Sequence, residues 1–293
     1  MKDSNCIDFL QWALPRLQLR WPGFRKVRRQ VCRRVQRRIE ALGLSDPEAY
    51  RDYLKRHPEE WSVLDQFTPI TISSFYRDRG VWDFLWHKVL TQLATGKVQK
   101  LRAWSIGCAS GEEPCTLMLA WRIGVMPLRS RVDMSIVATD VYEPILERAR
   151  TACYSFGSLK QLPANWLDQA FEQQRDQYCL RSPYRTGIDI KLQDIRTALP
   201  DEAFDLIMCR NLVFTYFDES LQCKTLGRIL SRLRDGGVLV IGRRESLPKG
   251  DWGLISWDGA EALGIYRKAQ KTECADHAKD GSAECAINYD ALR

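Results

Sequence analysis

The sequence predicts an α/β domain built on a parallel sheet, carried behind a smaller helical region. Three observations predict it. From residue 101 onward short apolar segments that suit strands alternate with longer ones that suit helices. Ahead of them lie segments with apolar residues at helical spacing. Between the first strand and its helix runs SIGCASG, residues 105–111, a turn of small residues where open α/β sheets receive their ligands.

The bulk properties agree with a soluble globular chain. The 293 residues are 45% hydrophobic and 28% charged, enough for one main domain and a smaller companion. Apolar runs such as VLVIG at 238–242 fall far short of the roughly 20 residues a membrane span needs. The start, MKDSNCIDFL, lacks a basic-then-apolar signal pattern. Ten cysteines include no CxxC pair and accompany three histidines, which argues against a zinc site. Cys108, Cys115 and Cys209 lie in apolar segments, so the cysteines are expected to be reduced and structural, in a cytoplasmic protein.

Taken in order, the first element is FRKVRRQVCRRVQRRIEALGL. Its Phe24, Val27, Val31, Val35, Ile39 and Leu42 form one apolar stripe, and Arg28, Arg29, Arg33, Arg34, Arg37 and Arg38 occupy the other faces of a helix over 24–42. Between Arg16 and Arg38 there are ten Lys or Arg and no acid, against a net charge of +7 for the chain. That face is either simply solvated or docks an acidic protein surface. Nucleic acid is disfavoured, because no recognition motif or aromatic platform accompanies the charge. A second helix is expected in SDPEAYRDYLKR, capped by Ser45 with Pro47 in its first turn.

The sheet then reads LRAWSIG, MSIVATD at 134–140, AFDLIMC at 203–209 and GGVLVIG ending at 242 as strands. EEPCTLMLAW, EPILERARTA and ESLQCKTLGRILSRL read as helices. The expected division is a helical domain and linker at 1–90, an α/β domain at 91–268 and a flexible tail at 269–293, which has no sustained period.

Gly107 and Gly111 let a ligand approach the main chain at the first strand end. Neither G-x-G-x-x-G nor G-K-[ST] is present, and Glu112 and Glu113 would repel a pyrophosphate there while accepting a cation. Asp140 ends the second strand, where a carboxylate accepts both ribose hydroxyls. A ribose-bearing cofactor with a positive centre, a free amino group and no phosphate is S-adenosylmethionine. A tight structural turn with helix-capping glutamates is the alternative.

WSIGCASGEEPCTLML, TISSFYRD at 71–78, CRN at 209–211, YFDESLQ and LRDGGVLVIGRRESL together resemble the chemotaxis receptor methyltransferases, from about residue 20 to 268. The resemblance implies an N-terminal α-helical domain, an α/β S-adenosylmethionine-dependent methyltransferase sheet and a small β insertion near 177–192. It implies protein-glutamate O-methyltransferase activity on the cytoplasmic helical region of a chemoreceptor, with the basic helix near that acceptor. By the same resemblance Arg77 lines the reaction site, Glu113 engages the methionine portion of the cofactor, Asp140 holds the ribose, and Asp194 stands near the adenine. Arg210 and Asn211 floor the pocket. The chain departs from the family pattern at Pro69, Thr71 and Ser73, and LVFT after CRN adds one residue, so either Tyr216 or Phe214 takes the active-site tyrosine position.

A carboxylate acceptor is already ionised near neutrality, so such an enzyme needs alignment and dehydration rather than a histidine base. Other outcomes of the same residues are methylation of another protein or a small carboxylic acid, or a cofactor-binding regulatory module without turnover. Nucleic-acid methylation lacks an N-P-P-Y-type strand end.

Overall fold

A computed structural model describes residues 3–95, 100–128, 132–260 and 262–270. Its strands, in chain order, are β1 (Lys100–Ile106), β2 (Asp133–Asp140), β3 (Cys153–Ser155), β4 (Phe171–Gln174), β5 (Gln177–Leu180), β6 (Ile188–Leu192), β7 (Phe204–Cys209), β8 (Leu233–Ile241), β9 (Leu254–Ser256) and β10 (Ile265–Lys268). The main sheet has seven strands in the order β6-β2-β1-β7-β8-β10-β9. Neighbours from β6 to β8 run parallel, whereas β10 pairs antiparallel with β8 and with β9. The fully parallel sheet expected from the sequence is thus corrected at one edge. Among the described residues the connections after β8 contain no crossover helix, and without one a returning strand lies antiparallel.

Alternation along the central strands separates two cores. Leu101 and Ala103 of β1, Leu206 and Met208 of β7, and Val238 and Val240 of β8 face one side. Trp104, Ile106, Ile207, Cys209, Leu239 and Ile241 face the other. The second face is covered by the helix Glu219–Ser231 and by the N-terminal helices, whose Phe9, Leu10, Phe24, Val31, Val35 and Ile39 belong to the same continuous core. Burying a second apolar stripe is what holds the basic helix in place.

That helix spans Arg28–Ala41, shorter than expected, because a separate turn, Trp21–Phe24, precedes it. The next helix, Pro47–Arg56, is capped by Asp46, which accepts from the Ala49 amide at 2.9 Å; the expected cap, Ser45, instead donates to the Asp46 carboxylate. A carboxylate is the better acceptor at a helix start, where the dipole also favours its charge.

The small β element also differs in extent. β3, β5 and β4 form a separate three-stranded antiparallel sheet, while residues 188–192 join the main sheet beside β2. Two cysteine pairs overturn the expectation of uniformly reduced thiols: Cys6 is bonded to Cys32 and Cys153 to Cys179. Each pair is 26 residues apart in sequence and is brought together by packing, the second as facing residues of β3 and β5. Cys108, Cys115 and Cys209 are free and buried, in keeping with their apolar surroundings. No helix among the described residues is long and apolar enough to cross a membrane. Residues 271–293 of the expected tail lie outside the described residues.

Candidate active site

A cavity of about 1240 Å³ opens at the carboxyl ends of β1, β2 and β7. Gly107, Glu113, Asp140, Asp194, Arg77, Arg210, Asn211 and Tyr216 all line it. Gly111 does not reach it. That glycine has φ +89° as the helix cap, and a Cβ there would come within 3.1 Å of Ala149 and of the Tyr154 hydroxyl. Its role is in turning and packing the chain. Gly107, at φ +72°, is a lining residue where a Cβ would approach Leu212 to 2.8 Å.

The turn is tied to the second strand. The amides of Gly107 and Cys108 both donate to the Thr139 carbonyl, at 2.8 and 3.0 Å. Asp140 accepts from the amides of Ala109 at 3.0 Å and Tyr142 at 3.1 Å, which fixes its orientation at the cavity wall. Burial raises its pKa, with those backbone donors opposing the shift.

The two glutamates part company. Glu112 is turned away from the cavity and accepts from the hydroxyls of Ser110 and Ser158, so the expectation that both would face a cation holds in position only for Glu113. Glu113 accepts from Ser105 Oγ at 2.8 Å and faces Arg210 Nη1 at 3.3 Å. Burial raises its pKa too, and the Arg210 charge works against the rise.

Arg210 is held on several sides. Its guanidinium meets Asp78 at 2.7 Å, Glu113 at 3.3 Å and the Arg77 carbonyl at 3.0 Å, and lies 5.6 Å from the centre of the Trp82 ring. Asp78, with φ +63°, escaped the sequence reading although it directly follows Arg77. Arg77 itself has one long side-chain hydrogen bond among the described residues, 3.4 Å to the Ile72 carbonyl.

Asp194 lines the cavity, yet its carboxylate is occupied by Arg196, whose Nε and Nη2 lie 2.8–3.1 Å from it. The same guanidinium reaches Asp65 of the helix Glu60–Asp65 at 2.6 and 3.0 Å. No local pattern marked Arg196 as a bridge, because its second partner, Asp65, is 131 residues away.

The inserted residue after CRN is absorbed by one helical turn, Val213–Tyr216, rather than by a strand bulge. Phe214 is fully buried, while Tyr216 is half-buried and packs against Phe24 with the ring centres 4.9 Å apart and the planes tilted by 56°. Burial pushes the Tyr216 phenol up to about 12, with the nearby Arg77 opposing, so it is neutral at physiological pH. Asn211 takes a left-handed φ of +56°. Its amide donates at 2.9 Å to Glu245, a buried acid just past β8 that sequence reading also passed over.

The basic helix is less free than its sequence suggests. Arg38 forms a paired contact with Glu60 at 2.7 and 2.8 Å, and Tyr50 donates to the same carboxylate at 2.7 Å. Arg34 turns inward to the carbonyls of Phe67 and Pro69. Arg28 pairs with Asp3. Arg29, Arg33 and Arg37 remain as an exposed row at every fourth position.

The residues suit S-adenosylmethionine. The carboxylate of Glu113 could meet a cationic amino group and the strand-end Asp140 could accept from ribose hydroxyls, both at the wall of one cavity. The family model described as CheR methyltransferase, SAM binding domain matches residues 71–256, and the CheR methyltransferase, all-alpha domain model matches 26–66. A chemotaxis protein methyltransferase from Listeria monocytogenes is 34% identical over 71% of this chain and 79% of its own length. Chemotaxis protein methyltransferase 2 of Vibrio cholerae is 28% identical over 75% of this chain and 78% of its own. The Escherichia coli chemotaxis protein methyltransferase is 28% identical over 75% and 77%.

A pH dependence follows from the two raised carboxyls. Protonation removes the charge that attracts the cofactor, so affinity is expected to fall as pH is lowered through pKa values above the ordinary range of about 4. Calorimetric titration with S-adenosylhomocysteine, which keeps the amino group and ribose, checks this from about pH 8 down to about pH 5. Affinity that stays level would mean that both groups remain ionised.

Proposed function

The chain belongs to the CheR methyltransferase family, and from that premise we propose that it transfers a methyl group from S-adenosylmethionine to glutamate side chains of a chemoreceptor or receptor-like signalling protein, forming methyl esters. The observation that carries this reading is the one cavity shared by Glu113, Asp140, Arg77 and Tyr216, whose lining also includes the basic residues Arg20, Arg25 and Lys26.

The cofactor supplies an electrophilic methyl group on a sulfonium centre. Glu113 would hold the amino group and Asp140 the ribose hydroxyls, so that these two acids would orient the bound cofactor. Arg77 keeps guanidinium donors for an incoming carboxylate. Its charge is close enough to Tyr216 and Glu113 to bear on both, so the acceptor is drawn between cofactor and tyrosine. The Tyr216 phenol, neutral near pH 7, donates to the acceptor carboxylate without competing for the methyl group. Leu212, Phe214 and the Tyr216 ring keep the wall apolar, and removal of water makes the acceptor oxygen more reactive. No proton needs to be taken from a carboxylate, and among the described residues the cavity lining includes no histidine.

The partner is read as the helical cytoplasmic region of such a receptor, acidic where it meets the arginine row. Incubation with cofactor carrying a labelled methyl group and a cytoplasmic chemoreceptor fragment is expected to yield label that mild alkali releases as a volatile product from a glutamate-containing peptide. Alkali-stable label would overturn the ester assignment. Arg29, Arg33 and Arg37 changed together to Glu are expected to weaken association with the fragment about tenfold at low salt, with cofactor affinity unaltered. Unchanged association would return the row to a solvated face. Arg34 and Arg38 are unsuitable for this test because both support the fold.

A further inference from the structure

Ahead of the basic helix, residues 18–24 run alongside the turn that carries Tyr216, and Leu19, Arg20, Gly23 and Phe24 line the cavity with it. The contacts come from both the main chain and the Arg20 side chain. The Arg20 amide donates to the Tyr216 carbonyl at 2.8 Å and the Asp218 amide to the Gln18 carbonyl at 2.8 Å, so that Leu19 and Phe217 form an isolated antiparallel bridge. The Arg20 side chain donates through Nε to the Thr215 carbonyl at 3.0 Å and through Nη2 to the Phe214 carbonyl. These are two of the carbonyls that a four-residue helical turn leaves without partners of its own.

Gly23 closes the contact. A Cβ on Gly23 would fall on the Thr215 carbonyl oxygen and lie 3.1 Å from Tyr216 Cδ1. The backbone there is open to other residues, since φ is not in the left-handed region, so the glycine serves close approach. Phe24 then lays its ring 4.9 Å from that of Tyr216.

The opposite side of the turn is held as well. Glu245 accepts from the Asn211 amide at 2.9 Å, the Gly242 amide at 2.6 Å and Thr215 Oγ1 at 2.5 Å. A single helical turn between two loops has little stability alone. This one is gripped from both sides, next to the residue that faces Arg77.

We infer that residues 18–24 and Glu245 form a two-sided brace that positions Tyr216 for methyl transfer, with Arg20 and Gly23 as its positioning residues. This rests on the reading of Tyr216 as an active-site group. The matched all-alpha domain begins at residue 26, so the brace lies ahead of it. The N-terminal region therefore contributes directly to the geometry of the reacting centre.

The test uses the full chain, labelled cofactor and a purified cytoplasmic chemoreceptor fragment. Arg20→Gln and Gly23→Ala are each made alone and together with Tyr216→Phe. Arg20 is exposed, so its replacement tests the brace even where Gly23→Ala fails to fold. Each single variant is expected to lower kcat about tenfold, with KM for the fragment and the dissociation constant for S-adenosylhomocysteine unchanged. In the Tyr216→Phe background neither change should lower kcat further, and Arg20→Lys should recover part of the loss. Gly227→Ala, at a helical position with open space around it, should leave kcat unaltered. Equal losses in both backgrounds, losses confined to cofactor affinity, or no loss in Arg20→Gln would overturn the brace. A fully active Tyr216→Phe would mark the failure of the tyrosine reading and take the brace with it. Impaired Tyr216→Phe beside an unimpaired Arg20→Gln would mark the failure of the brace alone.

Discussion

Arg210→Met is expected to lower the free energy of unfolding by about 3 kcal/mol and to weaken S-adenosylhomocysteine binding. The guanidinium, 2% exposed, separates two acidic side chains, Asp78 and Glu113, that are 30% and 16% exposed. Methionine fills much of the space but leaves both carboxylates in a poorly hydrated site without their common counterion. The loss also removes the donor that holds the Arg77 carbonyl, so the damage spreads to the reaction side of the cavity. Denaturant unfolding measures the first effect and calorimetry the second. If repulsion between the stranded acids is the cause, Asp78→Asn added to Arg210→Met should restore part of the stability. No recovery would place the loss in packing against Trp82 instead.

Arg77→Ala is expected to reduce kcat about 100-fold while changing the dissociation constant for S-adenosylhomocysteine less than about threefold. A fixed donor matters most when the acceptor must be held in line with a methyl group a little over 3 Å away, and small misplacement is costly. The Arg77 side chain makes little contact with the fold, a single 3.4 Å hydrogen bond among the described residues, so stability should hardly change. Single-turnover measurements with saturating cofactor isolate the step. A parallel fall in cofactor affinity would move Arg77 to the methionine carboxylate and away from the acceptor.

Much of the α/β fold was legible because strands and helices here carry local signals. LRAWSIG and MSIVATD have the apolar content of buried strands, and both are central strands, β1 and β2. The placement of Gly107 and Asp140 at strand ends and of Glu113 in the first turn of the helix after β1 follows from the same local grammar. What escaped depended on distance. The antiparallel edge at β9 and β10 is set by pairing across the sheet, and the two disulfides by helices and strands that meet only in the folded chain. Charge was misleading where it was densest. Arg34 and Arg38 read as surface residues, yet carbonyls at 67 and 69 and the buried Glu60 claim them. Glu245 was passed over because a single acid after a strand looks like any other until three donors converge on it.

The bridge made by Arg196 has a consequence for how the molecule can be divided. One cation serves Asp65 on the N-terminal side and Asp194 in the cavity wall, so a ligand that perturbs Asp194 is expected to be coupled to the attachment of the helical region. By thermodynamic reciprocity, whatever the helical region contributes to cofactor affinity the cofactor returns to the attachment of that region. A chain shortened to begin at residue 71 would retain the strands and their acids, but Arg196 would answer to Asp194 alone. Its cofactor affinity would then report a different equilibrium from that of the whole protein.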